Sequence, residues 1–196
     1  MRLSGPAGFQ SSAFTGFFYS WVSYVFRTDK SVGFPRAVAN YKKHRMILDM
    51  TCGGRHMWFD KDHDGTIYAD IRLEPSGAIE QQPEWNVTPD IVCDWGALPF
   101  NDNSFDLVVF DPPHAHVLNS SIIGMKYGSL FGDWKPTLRL GLLEAWRVTS
   151  TAGTLVFKWA ESPYPVATVL GLVPEMKPAF GHTTGKAGKT IWVTFH

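Results

Sequence analysis

The chain has 196 residues, of which 44% are hydrophobic and 18% charged, and its formal net charge at pH 7 is zero. This length suffices for one well-packed core and is too short for two ordinary domains. The longest apolar stretch, residues 14–26, is interrupted by polar residues and falls short of the ~20 residues that span a bilayer, so we expect no membrane span.

Two features of the sequence favour a cytoplasmic location. The N-terminal region lacks the compact apolar core and the small-residue cleavage site of a secretory signal. The only cysteines, Cys52 and Cys93, both lie in apolar segments and offer no disulfide framework. We therefore expect free thiols in a reducing compartment.

Residues 1–45 are predicted to be an extension of a main domain over residues 46–196. The extension is rich in aromatic residues and ends with Lys42, Lys43 and Arg45. It is either a helix that covers a sheet edge or an aromatic and basic surface for bases and phosphates. Charge is uneven as well, because residues 51–125 carry twelve Asp and Glu against three Lys and Arg, whereas both flanks are basic. The basic flanks could attract a polyanion, or these charges are ordinary solvated side chains.

From residue 46 onward, short apolar runs alternate with turn residues and helical stretches, the pattern of β-α-β units in a parallel sheet. We predict six strands, at Met46–Met50, Thr66–Asp70, Ile91–Asp94, Phe105–Asp111, Thr154–Trp159 and Thr190–Phe195. The first five carry acidic or polar residues at their carboxyl ends, namely Asp49, Asp70, Asp94, Asp111 and Lys158. In an open α/β sheet this edge is where ligands bind.

Helices are predicted at Trp134–Val148, which has Pro136 in its first turn, and at Pro163–Leu172. Between the second and third strands, Arg72–Pro89 contains three prolines and a glycine. This composition predicts an extended connection in place of the usual helix.

The turn after the first strand predicts a ligand site. Gly53 and Gly54 follow this strand, and glycines let backbone amides approach a ligand closely. Asp70, at the end of the next strand, lies 16 residues beyond Gly54, where an acidic residue can accept hydrogen bonds from ribose hydroxyls.

The fourth strand runs into Asp111-Pro112-Pro113-His114, which resembles the Asp-Pro-Pro-Tyr-type motif of amino methyltransferases. Over Met46 to Phe195 the chain is similar to the short class I methyltransferases of phage and prophage genomes. The resemblance implies a Rossmann-like α/β fold, a mostly parallel twisted sheet flanked by helices. It also implies S-adenosylmethionine as cofactor, with S-adenosylhomocysteine as product.

The resemblance assigns roles to matching positions. Asp49 and the glycine turn would lie near the methionine part of the cofactor, Asp70 at the ribose, and Asp94 with Trp95 at the adenine. The expected cofactor-binding residues are thus Asp49, Thr51, Cys52, Gly53, Gly54, Asp70, Ile71, Asp94 and Trp95.

The expected catalytic residues are Asp111, Pro112, Pro113 and His114. A planar exocyclic amine is a poor nucleophile, and acceptors such as the Asp111 carboxylate and the Pro112 carbonyl could favour its pyramidal form, with prolines fixing their direction. His114 stands where the family has an aromatic residue. Its imidazole could stack on a base or accept a proton.

Further substrate contacts are predicted at the carboxyl edge. Lys158 could hold a phosphate or a carboxylate and Trp159 could stack, or else they are a solvent lysine beside a core tryptophan. Lys126, Tyr127 and Gly128, together with the segment 181–186, are predicted to form mobile loops with basic tips that contact substrate.

Two segments look like metal sites but fit poorly. Asp60–Gly65 begins like a calcium loop, yet its twelfth position, where a bidentate Glu is needed, is Ile71. His114 and His116 lie near Asp111, but no further cluster of ligands follows at metal-binding spacing. We expect no metal.

The leading hypothesis is therefore a methyltransferase that acts on an amino nitrogen, most plausibly of a nucleobase in DNA or RNA. A methyltransferase for a protein amide or a small molecule would use the same acceptor geometry. The alternatives are a cofactor-binding regulatory protein without transfer, and a nicotinamide oxidoreductase, which the atypical glycine turn disfavours. The oligomeric state is left open.

Overall fold

The computed structural model describes residues 46–118, 120–130, 132–184 and 189–196. The predicted extension over residues 1–45 lies outside these ranges, as do residues 185 and 186 of the predicted basic loop. Within the described ranges, no helix is both long and apolar enough to cross a membrane.

In the described residues, seven strands form one sheet in the order β3-β2-β1-β4-β5-β7-β6. Pairing is parallel from β3 through β5, and β7 runs antiparallel to both β5 and β6. The strands are β1 (Ile47–Asp49), β2 (Thr66–Asp70), β3 (Ile91–Val92), β4 (Phe105–Phe110), β5 (Thr149–Ala160), β6 (Phe180–Thr184) and β7 (Thr190–Phe195). The predicted Rossmann-like α/β architecture with a mostly parallel sheet is confirmed.

Three helices accompany the sheet in the described residues: α1 (Ile122–Tyr127), α2 (Trp134–Val148) and α3 (Val166–Leu170). The bounds predicted for α2 are confirmed. The helix predicted at Pro163–Leu172 is shorter than expected, because Pro165 is its N-terminal capping residue and the Val166 N–H is bonded by the Glu161 side chain.

Helix α2 builds the main core against one face of the sheet. Its buried Leu138, Leu142 and Ala145 recur at helical spacing and belong to the same cluster as the buried residues of β4 and β5. Close approach is required at Gly141, where an added Cβ would lie only 2.7 Å from Cζ of Phe110. The core therefore fixes the carboxyl ends of β4 and β5 in place.

The connections between β1 and β4 contain no helix in the described chain. The prediction for Arg72–Pro89 is confirmed: it consists of turns, one bridge between Glu74 and Val87, and a small cluster of Ile79, Trp85 and Val87. The strand predicted at Ile91–Asp94 is only two residues long, so Asp94 lies beyond its end.

Two loop predictions are wrong. Gly181–Thr184, expected in a mobile loop, belongs to edge strand β6, whose exposed residues lack the apolar alternation that would have revealed a strand. Lys126 and Tyr127 end helix α1 instead of lying in a loop, and only Gly128 follows it. Strand β5 also begins five residues before the predicted Thr154, directly at the end of α2.

Candidate active site

The site lies where the strand order reverses between β1 and β4. Ligands bind at such switch points in open α/β sheets, outside the carboxyl ends of the strands. The loop after β1 and the loop after β4 are joined here, because the Asp111 N–H donates to Oγ1 of Thr51 at 2.9 Å. The motif after β4 is thus fixed directly to the turn after β1.

The buried Asp49 side chain supports the turn that follows β1. It is fully buried, and it accepts hydrogen bonds from Nε1 of Trp58 (2.7 Å) and from the Thr51 N–H (3.2 Å). Burial raises its pKa to about 6, against the lowering effect of these hydrogen bonds. Cys52 beside it is also buried, and burial raises the pKa of its thiol, so it is an inert core residue.

The backbone of the glycine turn requires a glycine at Gly53, and Gly54 is closely surrounded. Gly53 has a φ of +48°, and an added Cβ at Gly54 would lie 2.9 Å from Nε2 of His56 and 3.4 Å from the Asn86 carbonyl. The Gly53 N–H donates to Oδ2 of Asp70 at 2.9 Å. The turn and the end of β2 are therefore one hydrogen-bonded unit, a bond between two groups that the sequence analysis had each expected to meet a ligand.

Asp70 is held by Arg72, a residue that sequence reasoning did not single out. Oδ1 of Asp70 accepts from the N–H (2.9 Å) and Nε (3.0 Å) of Arg72, and Oδ2 accepts from Nη2 (3.1 Å). Nη1 of Arg72 donates to the carbonyls of Lys126 (2.8 Å) and Met125 (3.4 Å) at the end of α1. The available signal was a basic residue two positions after a strand-end acid.

A cavity of about 230 Å³ opens against Gly53 and Gly54. Trp85 and Asn86 of the helix-free connection form part of its lining, and Nε1 of Trp85 is buried with no hydrogen-bond partner among the described residues. Arg55, also in the lining, is fixed by the carbonyls of Lys61 (2.7 Å) and Thr88 (2.9 Å) and lies 3.9 Å over the ring of Tyr68.

The remaining residues expected at the cofactor differ in exposure. Asp94 is exposed and accepts the Gly96 N–H at 2.8 Å. Trp95 packs edge-on against Phe110, and its buried Nε1 has no hydrogen-bond partner in the part of the chain that the structure describes. Ile71 is 60% exposed beside the end of β2.

Asp111 forms an ion pair with Lys158. Nζ of Lys158 lies 2.6 Å from Oδ2, and only 17% of the Asp111 side chain and 22% of the Lys158 side chain are exposed. Oδ1 of Asp111 is buried and accepts no hydrogen bond from any described residue. One oxygen is thus neutralised by a cation while the other keeps its acceptor capacity.

His114 completes this group. Its Nδ1 lies 3.1 Å from the Pro112 carbonyl and 3.8 Å from Oδ1 of Asp111. Because a carbonyl only accepts, Nδ1 carries the hydrogen and Nε2 keeps its lone pair. Burial, opposed by Asp111 and reinforced by Lys158, lowers the pKa of His114 below 6.5, so the ring is neutral at pH 7. The Pro112 carbonyl, expected to accept from substrate, is engaged by His114.

Trp159 lies behind the site, with its ring 6.1 Å from the His114 ring in an edge-on arrangement, and is not exposed to substrate. Successive residues of a strand point to opposite faces, so Trp159 lies on the other face from Lys158. Its ring is fully buried, stacks with Trp134 and Phe157, and donates from Nε1 to the Tyr164 carbonyl at 2.8 Å. The expectation that it stacks on substrate is wrong, and the core alternative is correct.

The end of α1 faces the glycine turn. The Tyr127 ring is 49% exposed and lies 6.4 Å from the His56 ring, and Nζ of Lys126 lies 5.4 Å from the Tyr127 ring. Gly128 lies beside the catalytic motif, because an added Cβ would be 3.0 Å from Cγ of Pro113. The end of α1, which carries Lys126 and Tyr127, therefore borders both the glycine turn and the Asp-Pro-Pro-His segment.

The calcium-like segment forms a turn. The Asp62 N–H donates to Oδ1 of Asp60, and the Asp62 carboxylate pairs with Arg55 at 3.1 Å. Among the described residues, no group of three or more His, Cys, Asp and Glu side chains could hold a metal ion.

No protein-family model and no curated protein matches the chain. Solved structures do match it. The PH0226 protein of Pyrococcus horikoshii OT3 is 16% identical with a TM-score of 0.53, over 82% of this chain and 86% of that chain. A TehB-like SAM-dependent methyltransferase from Corynebacterium glutamicum is 16% identical with a TM-score of 0.49, over 82% and 84%. The N-methyltransferase NodS from Bradyrhizobium japonicum is 14% identical with a TM-score of 0.49, over 77% and 84%. At these identities, the likeness to the Pyrococcus protein shows a shared fold.

Proposed function

We propose that this protein is a cytoplasmic methyltransferase that transfers a methyl group from S-adenosylmethionine to an amino nitrogen of a nucleobase in DNA or RNA. One observation carries the proposal. At the switch point of the sheet, a buried carboxylate oxygen of Asp111 without a hydrogen-bond partner in the described chain lies beside a neutral His114. An acceptor and a base held together suit a substrate that brings an N–H group.

The carboxyl edge also offers what the cofactor needs. The cavity beside Gly53 and Gly54, which Trp85 and Asn86 also line, could hold the methionine part. Trp95 offers an indole edge near Asp94, where the adenine is expected. Asp70 fits the ribose less readily, because both of its oxygens are already bonded within the chain.

When bound, S-adenosylmethionine would supply an activated methyl group, with its sulfur as the leaving group that keeps the electron pair of the carbon–sulfur bond. Oδ1 of Asp111 accepts one amino hydrogen of the substrate and thereby orients the nitrogen lone pair. Nε2 of His114 takes the proton that the methylated nitrogen releases, which its neutral state permits. Positioning and electrostatics thus provide the catalysis.

Lys158 contributes through Asp111. Its ammonium donates to Oδ2 at 2.6 Å, so it holds the carboxylate in one orientation. The pair as a whole is neutral. Because the pair carries no net charge and contains an ammonium, it favours an uncharged planar amine or amide over a cationic amine. An uncharged planar amine fits a nucleobase.

The residues of the same sheet edge also support a nucleic acid as the substrate. Exposed Tyr127 can stack on a base and Lys126 can meet a phosphate, which together are the elements of single-strand binding. A duplex target would require the base to be flipped from its stack. Single-stranded DNA or RNA is therefore the preferred substrate, and a protein amide or a small molecule would use the same acceptor.

A second candidate is a cofactor-binding regulatory protein without transfer. The observation that favours it is the Asp111–Lys158 pair itself, because a partly buried ion pair of this kind also occurs as a structural element. The two candidates differ in whether Asp111 is needed for anything beyond folding.

Transfer of labelled methyl from S-adenosylmethionine into a cell extract, followed by DNase, RNase or protease, tests the proposal. We expect the label to be lost to one nuclease. Asp111→Ala should abolish transfer and leave S-adenosylhomocysteine binding nearly unchanged, while Asp102→Ala, which removes a remote carboxylate paired with Arg147, should retain both.

The other outcomes are equally informative. Label lost only to protease would indicate a protein amide as the substrate. Label that resists all three enzymes would indicate a small molecule. Tight S-adenosylhomocysteine binding without transfer by the wild type would favour the regulatory protein, and a collapse of that binding in Asp111→Ala would contradict the role given to Asp111.

A further inference from the structure

The Asp70 carboxylate has no acceptor site left for a ligand. A carboxylate offers about four lone-pair sites. Oδ1 is used by the N–H and Nε of Arg72, and Oδ2 is used by the Gly53 N–H and by Nη2 of Arg72. A ribose hydroxyl can therefore bond to Asp70 only when one of these donors leaves.

The Arg72 side chain is the donor that can leave. The two backbone N–H groups are fixed by the chain around Gly53 and Arg72, whereas the guanidinium is held on a flexible side chain. That side chain is 24% exposed, compared with 5% for Asp70. The cost of its departure is limited because water can solvate the released guanidinium.

The departure of Arg72 would also change helix α1. Nη1 of Arg72 donates to the carbonyls of Lys126 and Met125, and the last carbonyls of a helix lack partners within the helix. Only six residues long, α1 gains little stability from its own hydrogen bonds. Without Arg72 its carboxyl end loses a tether.

That end of α1 touches the catalytic motif. Gly128 caps α1, its N–H donating to the Gly124 carbonyl at 2.8 Å, and it lies against Pro113. Arg72 is therefore the link in an unbroken series of contacts that runs from Asp70 through the end of α1 to the Asp-Pro-Pro-His segment.

We infer that Arg72 is a positioning residue that couples the two halves of the site: a ribose takes over Asp70 as the Arg72 side chain leaves, and this releases the end of α1 beside Pro113. The inference rests on the proposed cofactor. It gives an order of events, in which cofactor binding loosens the segment that carries Lys126 and Tyr127 before the substrate enters.

The coupling also limits cofactor affinity. While Arg72 occupies Asp70, only the fraction of molecules with Arg72 released can bind, and the apparent dissociation constant is the intrinsic one divided by that fraction. Removal of the guanidinium should therefore tighten binding, although it removes an ion pair at the site.

The test combines calorimetric binding of S-adenosylhomocysteine with hydrogen exchange of residues 122–128. Arg72→Met removes the guanidinium, and Arg72→Lys keeps the cation without the planar fork that bonds carboxylate and carbonyl together. Arg139→Met is the matched control, because this guanidinium likewise bonds both a backbone carbonyl, that of Leu172, and a carboxylate, that of Glu175.

In the wild type, S-adenosylhomocysteine should speed exchange of residues 122–128. In Arg72→Met this exchange should be fast with or without ligand, and binding should be about tenfold tighter, the factor expected if about one molecule in ten is open. Arg72→Lys should fall between the two, which keeps the test available if Arg72→Met does not fold. Arg139→Met should behave as the wild type.

Wild-type binding that leaves exchange of residues 122–128 unchanged, with no gain in affinity in either Arg72 variant, would overturn the inference while leaving the proposed cofactor intact. If S-adenosylhomocysteine binds neither the wild type nor the Arg72 variants, the proposed cofactor is wrong and the inference falls with it.

Discussion

Replacing Lys158 by Met should destabilise the protein through Asp111. Breaking a fully buried ion pair by removing one partner costs about 3–5 kcal/mol, because the other charge is left without compensation. Here the side chains are 17% and 22% exposed, so water compensates part of the loss. We expect the free energy of unfolding to fall by about 2–3 kcal/mol at pH 7.

The second oxygen of Asp111 makes this loss larger than that of a surface pair. Oδ1 is buried and unbonded within the described chain, so without Lys158 neither oxygen has a strong partner. Asp111→Asn should cost less, about 1–2 kcal/mol, because an amide carries no charge and Lys158 can turn towards solvent. In the double variant no charge is left unpaired, and its loss should be about 2 kcal/mol smaller than the sum of the single losses.

Urea unfolding followed by tryptophan fluorescence measures all four corners of this cycle. Lys135→Met, which removes an exposed lysine of α2, should change the free energy of unfolding by less than about 0.5 kcal/mol. Losses that simply add in the double variant would show that Lys158 does not act through Asp111. The role given to the pair in methyl transfer would then lose its physical basis.

Three further predictions concern single groups. Burial holds the pKa of Asp49 at about 6 against an ordinary 3.8, so the native state binds this proton more tightly than the unfolded chain does. Because the wild type therefore loses stability as this proton leaves, Asp49→Asn should gain about 2–3 kcal/mol of stability relative to wild type as the pH rises from 4 to 7. A difference in urea midpoints that stays constant over this pH range would contradict the prediction. Because the pKa of His114 is lowered from 6.5, the acid limb of kcat/KM should lie below pH 6.5 and should vanish in His114→Asn; a limb above pH 7, or one kept in the variant, would exclude His114 as the base. Gly141→Ala should cost about 1–3 kcal/mol, since its Cβ would lie 2.7 Å from Phe110, whereas Leu140→Ala on the exposed side of α2 should be nearly neutral; equal thermal shifts would refute the close approach.

The parts of the fold set by local patterns could be predicted. Helix α2 was found at both ends because its apolar spacing is regular and Pro136 suits a first turn. Strand β7 was found because β-branched and aromatic residues fill Thr190–Phe195. Strand β6 was missed because an exposed edge strand is specified by backbone pairing with β7 and carries no apolar alternation.

The site was predictable as far as strand ends specify it. Parallel strands deliver their carboxyl-terminal residues to one edge, which is why Asp49, Asp70 and Asp111 were placed together. Side-chain pairing was not predictable, because Lys158 meets Asp111 only through the register of β4 with β5. Trp159 was assigned to the substrate together with its neighbour Lys158, although successive strand residues point to opposite faces of the sheet. The sequence alone could have supplied that rule.

The helix-free connections between β1 and β4 have a consequence for how the chain folds. The unit from β4 through α2 to β5 is contiguous and carries much of the main core, so it can form from contacts between near neighbours in sequence. Strands β2 and β3 lie outside β1 in the sheet, and β1 pairs with β4, so the three can join the rest of the sheet only once β4 exists. During synthesis β1, β2 and β3 leave the ribosome before β4 and can pair with one another, while the edge of β1 that pairs with β4 stays open meanwhile to chaperones or to other chains.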